Sequence, residues 1–126
     1  VSIRYFTVEE ANALLPELMP LVGQLLERRA RVSNTARSMA GVLSDLRSDI
    51  GGLEASELAN EFSRIEDLVE RIQARGCVVK SLEAGLLDFL SERDGRDVFL
   101  CWRYGEPRVE YFHELHTGYN GRRPIR

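Results

Sequence analysis

The hydrophobic rhythm of the chain changes once, at Gly76, and that change limits the fold more than any single motif does. Before it, apolar residues recur every three or four positions; after it, they alternate or run in short β-branched stretches bounded by turn residues. Such a chain reads as paired helices followed by pleated ribbons sharing one interior. The fold class expected is α+β: a long antiparallel helical hairpin followed by a small antiparallel β-meander of three to four strands.

In the first part, Ser2-Ile3-Arg4-Tyr5-Phe6 alternates and suits a short N-terminal strand. Thr7-Val8-Glu9-Glu10 is a capping box, which starts a helix at Val8. Pro16 and Pro20 each remove a helical hydrogen bond, at ~3 kcal/mol, so a break is expected near Leu15, with the first helix kinked near Pro16. Beyond them Leu18, Val22, Leu25, Val32, Ala36, Met39, Leu43, Leu46 and Ile50 form a heptad-like seam that Gly51-Gly52 ends. Leu58, Phe62, Ile65, Val69 and Ile72 repeat the rhythm until Gly76 supplies a left-handed cap. The first helix is the longer, and its overhang is free to pack on the sheet. Leu14, Leu21, Leu26, Leu53 and Leu68 lie off the seam and supply a second stripe for the sheet or for another copy of the chain.

In the second part, strands are expected at residues 77–79, 86–90, 98–102 and 108–113, with Glu92-Arg93-Asp94-Gly95 and Tyr104-Gly105-Glu106-Pro107 as turns. Setting Phe89 opposite Val98 and Trp102 opposite Val109 puts Leu87, Phe89, Val98, Leu100, Trp102, Val109, Tyr111 and His113 on the core face. Asp88, Phe99, Cys101, Arg103, Arg108, Glu110 and Phe112 then share the other face.

The 126 residues suit a single domain, 1–126, divided into the hairpin with its N-terminal strand (1–76) and the sheet with a C-terminal strap (77–126). Seventeen basic and twenty acidic residues leave a net charge of -3, which argues against nucleic acid or an anionic membrane as a general partner. Residues 45–70 hold eight acids and two arginines, whereas Arg122, Arg123 and Arg126 make the C-terminal end basic. Two cysteines without metal-finger spacing argue against a disulfide framework and for a reducing cytoplasm. No stretch approaches the ~18 apolar residues of a membrane span, and the first residues lack a leader pattern.

Two groups of residues carry a family resemblance. At the front stand Tyr5-Phe6-Thr7-Val8-Glu9-Glu10-Ala11-Asn12 and Leu14-Leu15-Pro16. At the back stand Gly85-Leu86-Leu87-Asp88-Phe89, Gly95-Arg96, Leu100-Cys101-Trp102, Gly105-Glu106, His113-Glu114 and the run from Gly118 to Ile125. With these the chain resembles a family of small bacterial proteins filed as a domain of unknown function. It departs from that pattern at Leu90, where proline is expected, and at Phe112, where tryptophan is expected. The resemblance implies a bacterial cytosolic protein and lends no activity.

Three stretches carry candidate chemistry. His113-Glu114-Leu115-His116 offers imidazole and carboxylate for a divalent metal, with Glu106 and Asp88 as further donors, although histidines three apart at a strand end do not match a metalloprotease helix. The plainer reading is a hydrogen-bonded core histidine at 113 and an exposed one at 116. Asp88, Cys101 and Glu110 converge if the guessed register holds, with an ion pair from Asp88 to Arg103 or Arg108 as the plainer alternative. Finally Arg96, Arg122 and Arg123, the last two beside the Gly118-Tyr119-Asn120-Gly121 segment, suit an anion such as phosphate or carboxylate, against a strap that merely packs Tyr119 and Ile125.

No nucleophile, base and acid set, P-loop or dinucleotide fingerprint is present, so the sequence names no reaction. Three readings stay open: a non-enzymatic interaction protein that forms a homodimer or larger homo-oligomer through its hairpin; a metal-binding protein or metal-dependent hydrolase around His113; and a binder of small anions or, less in keeping with the charge, nucleic acid.

Overall fold

The computed structural model describes residues 3–43 and 53–126. Helices α1 (Val8–Leu43) and α2 (Leu53–Gln73) precede a five-stranded antiparallel sheet of β1 (Val78–Ser81), β2 (Leu86–Arg93), β3 (Arg96–Arg103), β4 (Tyr111–Glu114) and β5 (Arg123–Pro124), with neighbours in chain order. Among the described residues no helix is long and apolar enough to cross a membrane. Expectations resting on the side chains of Met39, Leu43 and Leu53, and on Leu46, Ile50 and Gly51-Gly52, lie outside the described residues.

The capping box forms in full: Glu10 N–H donates to Thr7 Oγ1 (3.0 Å) and Thr7 N–H to Glu10 Oε1 (2.8 Å). The helix that starts there runs through both prolines, so the break expected near Leu15 does not occur. Pro16 and Pro20 are four apart and both exposed, which leaves the lost hydrogen bonds on the outer flank. On the inner flank Leu15, Leu18, Leu21, Val22 and Leu25 are buried, at about 1.5–3 kcal/mol each. Their packing exceeds the roughly 3 kcal/mol that each proline costs.

The helices pair antiparallel, with Arg75 Nε on Glu17 (2.7 Å) at one level and Arg28 on Glu61 (2.6 Å) at another. At 1.5 Å per residue α1 is about 54 Å long and α2 about 32 Å. The early turns of α1 join Ile65, Leu68 and Ile72 of α2 over a sheet face of Leu87, Phe89, Val98, Leu100, Trp102 and Phe112. Leu21 and Leu68, read from the sequence as a second stripe, are buried in this same core, and Leu14 and Leu26 pack against it.

Gly76 ends the hairpin at φ +100°, the left-handed cap its position requires. Residues 3–6, the described part of the expected N-terminal strand, form no strand. They lie beside the sheet, with Phe6 N–H donating to the Leu90 carbonyl (2.7 Å) and Ser91 Oγ–H to the Phe6 carbonyl (2.7 Å). Asp94-Gly95 closes the β2–β3 hairpin with both residues at positive φ, the geometry that matches strand twist. The fifth strand is a two-residue addition from the C-terminal strap, Tyr111 and Phe112 of β4 facing Pro124 and Arg123.

The register differs from expectation in a way that matters. Phe89 faces Leu100, not Val98; that two-residue shift leaves both strands' faces unchanged. Between β3 and β4 the shift is one residue: Leu100 faces Phe112 and Cys101 faces Tyr111, which moves Phe112 to the helix side and sends Tyr111 and His113 to the face of Asp88 and Cys101. Helix α1 takes residue 109 out of the expected pairing. Asn12 Oδ1 accepts from Val109 N–H (2.7 Å) and its Nδ2 donates to the Val109 carbonyl (3.4 Å), so residue 109 bonds to the helix instead of opposing Trp102.

Candidate functional site

Three polar side chains meet on the sheet face away from the helices. Asp88 of β2 and Cys101 of β3 are register partners, and His113 of β4 reaches back over β3. Its Nε2 lies 3.2 and 3.1 Å from the two carboxylate oxygens of Asp88. One donor atom from each residue falls within 4.8 Å of the others, and each residue is only 1% exposed. Asp88 and His113 meet on a diagonal across β3, where Cys101 stands opposite Asp88 and Phe99 opposite His113.

Hydrogen bonding fixes the histidine. Nδ1 lies 2.8 Å from the Glu114 carbonyl oxygen, which only accepts, so Nδ1 carries a proton. Nε2 then faces a carboxylate across a gap that must hold either a proton or a cation, since a lone pair and a carboxylate repel. Burial pushes the Asp88 carboxyl up from its ordinary value, against the opposing pull of His113. Burial, with the Asp88 charge beside it, pushes the Cys101 thiol up to about 12.

Cysteine, histidine and aspartate also build nucleophilic triads, but this geometry is wrong for one. A triad histidine takes the nucleophile's proton on one nitrogen and is held by the acid through the other. Here Nε2 faces the acid and Nδ1 is spent on a carbonyl, while the thiol is buried and held protonated instead of activated. The geometry suits a metal better. With Zn–N and Zn–O bonds of about 2.0 Å, tetrahedral ligands stand ~3.3 Å apart, close to the spacing of His113 and Asp88. A carbonyl-anchored Nδ1–H is also the usual outer support of a metal-binding imidazole.

Of the donors singled out in the sequence, His113 and Asp88 come together and the others do not join them. Glu106 accepts from Arg103 N–H (2.8 Å) inside its turn and takes Arg122 Nη2 on both oxygens (2.9 and 2.7 Å). Glu114 takes Arg96 through a two-pronged bond (2.9 and 2.7 Å) and Arg123 at 2.8 Å, and these guanidinium partners, Arg96 foremost, hold its carboxyl down to about 2. His116 and Glu110 are exposed. Asp88 pairs with His113 and not with an arginine: Arg103 reaches the Tyr119 hydroxyl (3.3 Å), and Arg108 is exposed. Arg96, Arg122 and Arg123 form no common cluster, being divided between Glu114 and Glu106.

Cys101 was legible as a face-mate of Asp88. Alternation alone does not put His113 on that face, since Val109, which would set the register of β4, bonds to Asn12 instead. A surface cleft of about 310 Å³ between the start of α1 and the strap is lined by Val8, Val109, Glu110, Tyr111, Pro124, Ile125 and Arg126 and includes none of the three donors.

The model of the family described as Uncharacterized conserved protein (DUF2203) matches residues 4–125, and the chain belongs to that family. Neither a curated protein nor a solved structure matches the chain.

Proposed function

We propose that this member of the family binds one divalent transition-metal ion through Asp88, Cys101 and His113. The observation that carries the reading is the placement of His113: its Nδ1 lies 2.8 Å from the Glu114 carbonyl oxygen, which leaves Nε2 to face a carboxylate and a thiol, three donors of the kind a metal collects. Mixed sulfur, nitrogen and oxygen ligands favour zinc, cobalt(II) or iron(II) over magnesium or calcium. Three protein ligands leave a fourth position for an exogenous ligand, the pattern of sites that do more than hold a fold together. Two buried cysteines free of disulfides fit a cytoplasmic setting.

The test is metal analysis of untagged protein, followed by zinc titration of the stripped chain. One ion per chain is expected, with a rise in melting temperature that grows with zinc concentration and is lost in Asp88→Ala and His113→Ala. Unchanged melting and no stoichiometric metal in the unmutated protein would sink the reading.

A second reading, self-association through the hairpin, draws on one observation. Phe62 of α2 is 52% exposed although it continues the stripe of Ile65 and Ile72, both buried. Light scattering across a hundredfold concentration range tests it: Phe62→Glu should lower the mass of any dimer, and a strict monomer at every concentration removes the idea.

A further inference from the structure

Beside the three donors stands a cation whose hydrogen bonds are incomplete. Arg122, from the C-terminal strap, has its guanidinium over the Tyr111 ring at 4.0 Å, with the Tyr119 ring at 4.6 Å. Only its Nη2 binds Glu106; its Nε is buried with no protein hydrogen-bond partner among the described residues. A buried N–H without an acceptor is uncommon and costly, more so when charged, and calls for a ligand or water to complete it. Tyr111 is the register partner of Cys101, one strand spacing away at about 4.8 Å. The guanidinium therefore lies over the ring that flanks Cys101, at the border of the metal-donor group.

We infer that Arg122 and the ion held by Asp88, Cys101 and His113 together bind a small carboxylate, which takes the open position of the metal and accepts from the guanidinium. The inference rests on the metal reading. Charge selects the ligand class. A divalent ion with one carboxylate, one thiolate and a neutral imidazole is neutral overall, and Arg122 is balanced by Glu106. A monoanion adds one negative charge to this buried neighbourhood and a phosphate dianion adds two, at greater desolvation cost. The planar fork of arginine matches either in shape, so charge decides.

Cobalt(II) serves as both ion and reporter. The stripped protein is loaded with cobalt(II) alone, and its visible absorption is followed while acetate or inorganic phosphate is added. Acetate is expected to change the spectrum saturably and at lower concentration than phosphate. Arg122→Gln should weaken acetate by about 10- to 100-fold while leaving the cobalt stoichiometry at one. Because Arg122 also fastens the strap, Glu106→Gln provides an independent arm: it keeps an oxygen for Arg103 N–H, removes the competing charge, and should tighten acetate severalfold. A cobalt spectrum that no anion alters, that phosphate alters at lower concentration, or that acetate alters equally in all three proteins overturns the carboxylate site and leaves the metal reading intact. Failure to load cobalt removes both.

Discussion

His113 Nε2 and Asp88 Oδ2 lie 3.1 Å apart although their strands, β4 and β2, are not neighbours in the sheet. The contact runs diagonally across β3 between Cys101, opposite Asp88, and Phe99, opposite His113, and Cys101 is the smaller of the two. Size at position 101 therefore controls the pair even before any metal is considered. Cys101→Ser is expected to keep the fold, whereas Cys101→Leu should destabilise it by about 1–3 kcal/mol through overpacking. Urea unfolding of the metal-free proteins measures this; equal stability of the two would mean that the pair does not depend on the gap.

Metal affinity should rise with pH. The Cys101 thiol, held near 12 by burial and by Asp88, is protonated throughout the neutral range and must release that proton to become a ligand. Each proton displaced adds about tenfold in apparent affinity per pH unit. Competition with a chromophoric chelator at pH 6, 7 and 8 is expected to give at least that slope in the native protein, and a slope smaller by one proton in Cys101→Ser.

The metal-free protein should lose stability in alkali. Burial raises Cys77 to about 11 and Cys101 to about 12, both above the 9.0 of an ordinary thiol. A raised folded-state value means that the stabilisation is complete below pH 9 and disappears as pH climbs through 11 and 12. Native protein at pH 8 should accordingly react slowly with a thiol reagent and yield both thiols at once in denaturant. Rapid native labelling of two thiols would show that neither is sheltered.

Asn12 is expected to matter more than a half-buried helical asparagine normally does. Replacing it with alanine strands the Val109 N–H and carbonyl, at about 1–3 kcal/mol. It also releases the constraint that sets the β4 register, so Asn12→Ala should weaken zinc binding without touching a ligand. Calorimetric titration beside urea unfolding separates the effects; unaltered zinc affinity would mean that β4 keeps its register unaided.

The parts of the fold that proved legible are those written locally. Thr7 and Glu10 lie three residues apart and specify the helix start by themselves; Asp94-Gly95 specifies its turn, and Gly76 its cap. What escaped the sequence depends on distant partners. The prolines pointed to a break because the inner row of Leu15, Leu18 and Val22 that outweighs them acts only once the sheet is in place. Alternation puts His113 on the core face, whereas in the fold Val109 bonds to Asn12, 97 residues earlier, and the strand that follows is shifted by one residue. Asp88 and Cys101 could be put on one face from alternation alone; the histidine that turns them into a site could not.

The two-residue strand β5 has a consequence for how copies of the chain can meet. It borders β4 with Pro124, which has no N–H to offer, and Arg123, whose charge resists an approaching backbone. On that flank the sheet is closed to edge-to-edge addition by another ribbon, so runaway stacking of the kind that makes fibrils finds no foothold there.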